Sequence, residues 1–296
     1  MSAHPGVGRS ARGRKRAISL PHRAEYDHDV VSSPWILLLI GALAASATMI
    51  AMWTVQLRLG DASHVDVAWA YGVGALAVAY AALGDGSAGN RLLLALVAAV
   101  WSTRLGTYIL LNRVVGKPED GRYQELRRRW APRLQRRFFV FFQAQALFVA
   151  VFSLPFAFVA TDGGPISPLA WIGAALALAC VAAEWAADRQ LARWRADPAN
   201  RGKTCRAGLW GWSRHPNYFF EWLHWVAWAV IALGSPNGWI AIAVPAFLLV
   251  LLFRVTGIPE TEAQSLRSRG DDYRRYQEEV SVFVPLPPRR PRPPTA

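Results

Sequence analysis

The densest group of side chains capable of chemistry occupies residues 208–221, Gly-Leu-Trp-Gly-Trp-Ser-Arg-His-Pro-Asn-Tyr-Phe-Phe-Glu. Pro216 suits the first turn of a helix, so Asn217 and Glu221, four residues apart, share one face of that helix. The amide of Asn217 offers a hydrogen-bond donor and an acceptor together, which is what recognition of a nicotinamide carboxamide requires. Glu221 would accept from the same carboxamide or hold the rotamer of Asn217.

A purely structural role for this segment is a helix cap followed by a belt of aromatic rings at a membrane interface. For the tryptophans we favour the belt or internal packing. For the polar residues taken together we favour a functional role. The polar residues are Arg214, His215, Asn217 and Glu221, and the aromatic ones are Trp210, Trp212, Tyr218, Trp222 and Trp225.

A second polar segment, residues 184–195, precedes this one. Asp188 and Arg195 lie two helical turns apart, and Lys203 and Arg206 follow. Basic loops at a membrane surface suit the phosphates of a dinucleotide, and they suit anionic lipid head groups as well. Taken singly, four arginines fit lipid or solvent better. These are Arg189, Arg193, Arg201 and Arg206. No Gly-x-Gly-x-x-Gly follows a strand pattern, which excludes a Rossmann domain.

Long apolar runs separate these segments and define the elements that must position them. No charged residue occurs in 36–50, 92–102, 138–161, 166–183 or 222–253. Such runs indicate membrane spans, because about 20 helical residues cross a hydrocarbon core of about 30 Å. The sequence therefore predicts an all-α, polytopic membrane helical bundle of about seven transmembrane helices. We expect them at residues 35–57, 65–83, 91–111, 138–160, 166–187, 217–234 and 238–254.

The composition excludes several other classes of protein. A chain of 296 residues that is 53% hydrophobic is neither disordered nor fibrous. Two cysteines allow one disulfide at most, and we expect both Cys180 and Cys205 to be free thiols. The formal charge of +13 lies between the apolar runs, where membrane proteins keep their cytoplasmic loops, so we expect no nucleic-acid partner.

The chain divides into three parts. Residues 1–33 form a basic, flexible N-terminal arm, residues 34–286 a single transmembrane catalytic domain, and residues 287–296 a disordered tail rich in Pro and Arg. The arm has no apolar core of its own, so we expect no cleaved signal peptide.

The distribution of Arg and Lys predicts the orientation. Loops 112–137, 188–216 and 254–296 carry nine, seven and eight of these residues, and seven spans place all three on the side of the C-terminus. The positive-inside rule then predicts a multi-pass protein of the cell inner (cytoplasmic) membrane with a cytoplasmic C-terminus. The arm, with six basic residues, conflicts with this orientation. Either it is tolerated, or one of the first spans is not a full crossing.

The same topology gathers costly polar residues at one depth. Asp66 would open the second span from the cytoplasmic side, and three residues would close the third span there. Asp188 would end the fifth span, and Asn217 with Glu221 would begin the sixth. Charge within a span marks a site or a buried pair. The three residues of the third span are Arg104, Tyr108 and Asn112.

Residues 208–221 resemble the C-terminal signature of the steroid 5α-reductase-like superfamily, and are most similar to its bacterial DUF1295 family. The resemblance covers most of residues 60–286. It includes Val-Asp-Val-Ala-Trp at 65–69, Arg-Leu-Gly at 104–106, Arg-Tyr at 122–123, Glu-x-x-x-Asp-x-Gln-Leu at 184–191, and Tyr-x-x-Tyr at 273–276 followed by Phe-x-Pro at 283–285.

This resemblance implies a seven-helix membrane fold that binds NADPH in a cavity facing the cytosol. It also implies reduction of a carbon–carbon double bond conjugated to a ketone in a lipophilic substrate, such as a steroid, isoprenoid or fatty-acyl lipid. Asp66 would lie beside the substrate carbonyl. We expect no metal. The implied cofactor contacts are Arg104, Asn112, Arg113, Asp188, Arg195, Asn217 and Glu221, to which we add Lys203, Arg214, His215 and Tyr218.

One position departs from the family pattern. The steroid reductases resembled here use a tyrosine to donate to the ketone oxygen, and Trp101 stands at the matching place. An indole N–H donates a hydrogen bond but does not readily release a proton, so Tyr71 or Tyr108 would have to substitute. A buried Asp66 would be protonated and act as a donor. The alternative for Asp66 is an interfacial helix N-cap.

Two other functions fit parts of the sequence. The first is a membrane methyltransferase that uses S-adenosylmethionine, of the isoprenylcysteine carboxyl type, which shares Arg-His-Pro at 214–216, a late Glu at 262 and Tyr-x-x-Tyr at 273–276. The second is a non-catalytic lipid-binding protein. The pairing of Asn217 with Glu221 and the helix that carries Asp188 favour the reductase.

Overall fold

The computed structural model describes residues 1–2, 31–255 and 257–289. Most of the predicted N-terminal arm and residues 290–296 of the predicted tail therefore lie outside the described residues. The described chain is all-helical, as predicted, and its only extended pairings are two isolated bridges. The helices are α1 (Pro34–Leu59), α2 (His64–Leu83), α3 (Ala88–Ile109), α4 (Gly121–Trp130), α5 (Leu134–Phe152), α6 (Leu154–Ala160), α7 (Pro168–Ala196), α8 (Pro216–Ala232), α9 (Ala243–Val250), α10 (Ile258–Arg269) and α11 (Asp271–Glu279).

Each of the seven predicted spans falls on a helical segment. Six of these are long and apolar enough to cross a membrane, whereas α8, with 17 residues, is shorter. The fourth span consists of α5 and α6, which are separated at Ser153 because Pro155, in the first turn of α6, has no N–H to continue the hydrogen bonding of α5. Helices α3 and α9 each continue into a π-helical turn, Leu110–Val114 and Leu251–Val255.

The alternation of the helices creates two ends of the bundle with different loops. At what we call the short-loop end, segments 84–87, 161–167 and 233–237 connect the helices. There Gly86 N–H donates to the Ala160 carbonyl at 2.9 Å. At what we call the basic end lie segments 60–63, 110–133, 197–215 and 257–289. Here the amide of Thr204 donates to Asp272 at 2.7 Å. The Arg-rich loops therefore share one end, as their sequence positions predict.

Helix α7 packs closely on α8, the helix that carries Asn217 and Glu221. Gly173 permits this approach, since a Cβ atom there would lie 2.8 Å from the Ala227 carbonyl oxygen and 2.6 Å from Cγ1 of Ile231. Small residues let membrane helices approach closely, and packing rather than a hydrophobic driving force stabilises their contact. Beside this pair, Trp225 is fully buried and its ring lies 4.5 Å from that of Phe152. Trp225 is thus a packing residue.

Candidate functional site

A buried ionic cluster joins α3, α7 and α8. Arg104 on α3 makes an ion pair of 2.7 Å with Glu184 and a hydrogen bond with Asp188. The two acids are four residues apart, so α7 presents both on one face. The side chains of Arg104, Glu184 and Asp188 are 11%, 8% and 6% exposed. One guanidinium serves two carboxyl groups, so acceptor oxygens remain for a ligand that brings hydrogen-bond donors.

Asn217 completes this cluster from the first turn of α8. Its Nδ2 donates to Oδ1 of Asp188 at 3.4 Å, and its Oδ1 accepts from the amide of Tyr218 at 3.1 Å. Pro216 sits at the beginning of α8, as predicted, and fixes the turn that carries Asn217. The structure therefore brings together three predicted cofactor contacts, namely Arg104, Asp188 and Asn217.

Glu221 lies one turn further along α8 and is bound by two indoles. Trp101 donates to Oε2 at 3.0 Å, and Trp225 donates to Oε1 at 2.9 Å. One role that we expected of Glu221 was to hold the rotamer of Asn217. Glu221 instead accepts from the two indoles, and Asn217 bonds to Asp188. Trp101 is fully buried, so its N–H orients Glu221 and does not point into a solvent-filled space.

A buried histidine forms the next layer. The ring of His224 stacks on Trp101 with centroids 5.5 Å apart. Its Nε2 accepts from the indole of Trp228 at 3.0 Å, and its Nδ1 lies 3.3 Å from the Ala177 carbonyl oxygen. Accepting at Nε2 and donating at Nδ1 requires the neutral imidazole with its proton on Nδ1. We did not predict His224 as a site residue, although its position three residues after Glu221 indicates the same side of α8.

The π-helical turn at the end of the third span lies outside the Arg104 cluster. The ring of Tyr108 lies under the Arg104 guanidinium at 5.4 Å. Asn112 and Arg113 are exposed on the π-helical turn, and the Asn112 amide donates to the Tyr108 carbonyl at 2.8 Å. The structure therefore places Tyr108 in the cluster and leaves Asn112 and Arg113 on the surface of the basic end.

Asp66 belongs to a different group of contacts. It accepts from the hydroxyl of Tyr123 and from Nη2 of Arg122, each at 2.7 Å. Both donors lie on α4, and among the described residues Asp66 has no hydrogen bond to the Arg104 cluster. Burial and the neighbouring Asp66 raise the pKa of Tyr123 well above its usual range, so its hydroxyl is a neutral donor. The N-cap of α2 is Ser63, so Asp66 is a first-turn residue and not the cap.

A basic cavity of about 690 Å³ opens beyond the buried cluster, between the end of α7 and α10. It contains the predicted contacts Arg195 and Lys203. Arg195 follows Asp188 by seven residues, so the two lie about 10 Å apart along one side of α7. Trp194 also lines the cavity, and its indole N–H is buried with no partner among the described residues. The cationic side chains of the lining are Arg195, Arg201, Lys203 and Arg269.

Arg214 and His215 bind the C-terminal segment to the beginning of α8. Arg214 forms an ion pair of 2.6 Å with Glu262, and its Nη1 donates to the carbonyls of Gln277 and Val280. His215 Nε2 lies 3.3 Å from the same carboxylate, and its ring stacks on Tyr218. These predicted cofactor contacts therefore have protein partners of their own.

Sequence reasoning missed four of the residues that organise these groups. Glu184 and the Arg-Tyr pair at 122–123 belong to quoted motifs, so the motifs carried the signal although no role was assigned to them. Glu262 was noted only for the methyltransferase alternative. Their partners come from distant parts of the chain, which periodicity does not reveal. The four are Glu184, Arg122, Tyr123 and His224.

Comparison with known proteins identifies a family and nothing narrower. The family model described as "Protein of unknown function (DUF1295)" matches residues 52–280. No curated protein matches the chain significantly, and no solved structure does so either. The matched residues include the Arg104 cluster, the Asp66 group and the Arg214 contacts. This chain therefore belongs to the DUF1295 family, the one that its motifs resemble.

Proposed function

We propose that the protein is an NADPH-dependent membrane reductase, an oxidoreductase that acts on an activated carbon–carbon double bond of a lipophilic substrate. The observation that carries the proposal is the arrangement along α7. The half-buried amide of Asn217 and the buried carboxylate of Asp188 lie two helical turns from a cavity lined by four cations. A dinucleotide has the same order of chemistry, with a carboxamide on its ring and phosphates further along.

The residues present fit such a cofactor at both ends. At the buried end, Asp188 and Asn217 offer acceptors to a carboxamide N–H₂, and Nδ2 of Asn217 offers a donor to its carbonyl. At the other end, the guanidinium groups of Arg195 and Arg269 suit phosphate oxygens. The indole N–H of Trp194, which has no partner in the part of the chain that the structure describes, is a further donor. When bound, NADPH would supply hydride to the substrate.

The residues of the chain would hold the reacting partners and exclude water. Arg104 fixes Glu184 and Asp188, and the indoles of Trp101 and Trp225 fix Glu221. Such preorganised groups reorganise little during a reaction, which is why they stabilise developing charge effectively. The neutral hydroxyl of Tyr123 carries one proton and donates it to Asp66, so an enone oxygen would have to replace the carboxylate as its acceptor. In this arrangement Asp66 orients Tyr123 and accepts from it.

A second candidate is the S-adenosylmethionine-dependent methyltransferase. The contact of Glu262 with both Arg214 and His215 favours it, since all three belong to that signature. However, Arg214 also donates to the carbonyls of Gln277 and Val280, which makes it a clamp on the C-terminal segment. We therefore rank this function second. We place the basic end and the C-terminus in the cytoplasm, where either cofactor is available.

Cofactor binding to the detergent-purified full chain tests the proposal. Fluorescence titration would compare NADPH, NADH and S-adenosylmethionine. We expect NADPH to bind, and Asn217→Ala to weaken it about tenfold, as for the loss of one hydrogen bond worth about 1.5 kcal/mol. The matched control is Gln124→Ala, because Gln124 is an exposed amide at the same end. Binding of S-adenosylmethionine alone would favour the second candidate. Binding of none would overturn both.

A further inference from the structure

We propose that the beginning of α5 is a binding site for an anionic phospholipid. A cavity of about 520 Å³ lies there, separate from the cavity that contains Arg195. Its lining combines three arginines with apolar side chains at the end of a membrane span. The lining residues are Trp130, Arg133, Arg136, Arg137, Val140, Phe141 and Ala144.

The spacing of these residues gives the site a direction. The α5 members recur at intervals of three and four from 136 to 144, so they form one face of the helix, and Arg133 immediately precedes that helix. Arg136 and Arg137 lie in the first turn and Val140 to Ala144 in the next two. From Arg137 to Ala144 the helix rises about 10 Å, towards the middle of the membrane. A cationic rim that continues into an apolar groove matches a phosphate head group followed by an acyl chain.

Ion pairing distinguishes the arginines of this cavity from the neighbouring arginines on α4. Arg127 pairs with Glu119 at 2.8 Å, and Arg128 and Arg129 both pair with Glu125. By contrast, the described residues contain no acidic partner for Arg133, Arg136 or Arg137. The sequence from 126 to 140 contains six arginines and no acid, so three positive charges at this rim await an anionic partner. Each such charge near a membrane surface attracts anionic lipid.

The apolar half selects a lipid over a free anion. Val140 is 60% exposed and continues the groove below the arginines. Trp130 forms a wall, with its ring 5.3 Å from Phe138 and 5.9 Å from Phe141. An inorganic anion would leave this groove unfilled. A lipid chain would bury it, which adds binding free energy in proportion to the apolar area covered.

Native mass spectrometry of the full chain in neutral detergent tests the site. The probes are dioctanoyl phosphatidylglycerol, dioctanoyl phosphatidylcholine, glycerophosphoglycerol and inorganic phosphate. We expect the first to bind tightest, and Arg136→Gln/Arg137→Gln to weaken its binding by at least tenfold. The matched control is Arg128→Gln/Arg129→Gln, which removes the same charge from α4.

Each other result would overturn the proposal. Equal losses in the two double variants would indicate general surface charge. Equal binding of phosphatidylcholine would remove the role of the arginines, and equal binding of phosphate or glycerophosphoglycerol would assign the site to a free anion. A thermal unfolding scan of each variant without lipid shows that it is folded. NADPH binding is scored separately, so this proposal and the proposed function fail independently.

Discussion

Tyr123 donates its hydroxyl to Oδ1 of Asp66 at 2.7 Å, and so joins α4 at the basic end to the first turn of α2. The tyrosine is 2% exposed although α4 is otherwise a polar helix. The resemblance to steroid reductases implies a tyrosine beside this carboxylic acid, and we expected Tyr71 or Tyr108 to take that place because position 101 is a tryptophan. The tyrosine that contacts Asp66 is instead Tyr123 on α4.

Loss of this hydroxyl tests its contribution to stability. Tyr123→Phe leaves one oxygen of a partly buried Asp66 without its donor, so we expect the free energy of unfolding to fall by about 1–3 kcal/mol. The control is Tyr71→Phe, which removes an exposed hydroxyl bonded to Thr107, with an expected change below about 0.5 kcal/mol. Denaturant titration in mixed micelles measures both. Equal changes would contradict the proposed importance of the Asp66 contact.

Arg104 provides the second test because it is the cation of the buried cluster. Arg104→Met leaves Glu184 and Asp188 buried without their partner, which we expect to cost about 3–5 kcal/mol of stability. NADPH binding should also be lost, since Asp188 would no longer be held beside Asn217. The control, Arg58→Met, changes an exposed arginine at the end of α1. A variant as stable as this control would show that the cluster is not a structural unit.

The sequence predicted the membrane-spanning helices, but it did not predict several of the contacts between distant segments. Long apolar runs predicted every span, because the hydrocarbon core imposes length and composition on each helix. The same runs predicted that Arg104, Asp188 and Asn217 meet at one depth. The partners of Asp66 were not predictable, since depth does not specify which neighbouring helix a side chain faces. Nor does a motif show that Arg214 binds the C-terminal segment, which depends on loops far apart in sequence.

The third prediction concerns helix packing and compares two glycines, one in close contact with a neighbouring helix and the other in open space. Gly173→Ala should destabilise the protein by about 1–3 kcal/mol, because its methyl would overlap the backbone of α8. Gly72→Ala has open space around it and lies within α2, so it should be neutral or stabilise by up to about 1 kcal/mol. Thermal unfolding of the pair decides. A stabilised Gly173→Ala would mean that α7 and α8 lie further apart than described.

The contact between Asp272 and residues 204–206 predicts a pH dependence. Burial opposes ionisation of Asp272, but bonds from Thr204 and Arg206 outweigh it and lower the pKa of its carboxyl. A lowered pKa stabilises the fold above the carboxyl's unfolded value near 4, and this contribution disappears as pH falls through the folded value. Hydrogen exchange should therefore show protection of the Thr204 amide at neutral pH that declines in acid. Asp272→Asn should remove this dependence, and an unchanged decline would contradict the assignment.

Because the loops at the two ends of the bundle differ in basic residues, cleavage by trypsin can show which end of the protein faces out of a vesicle. The connections 84–87, 161–167 and 233–237 contain no Lys or Arg, so trypsin has no cleavage site in them. All the basic connections lie at the opposite end. In a sealed vesicle, trypsin added outside would release large fragments from molecules whose basic end faces out. In molecules inserted the other way, none of these three connections would be cut. Two digestion patterns thus report how the chain is inserted, without any label or tag.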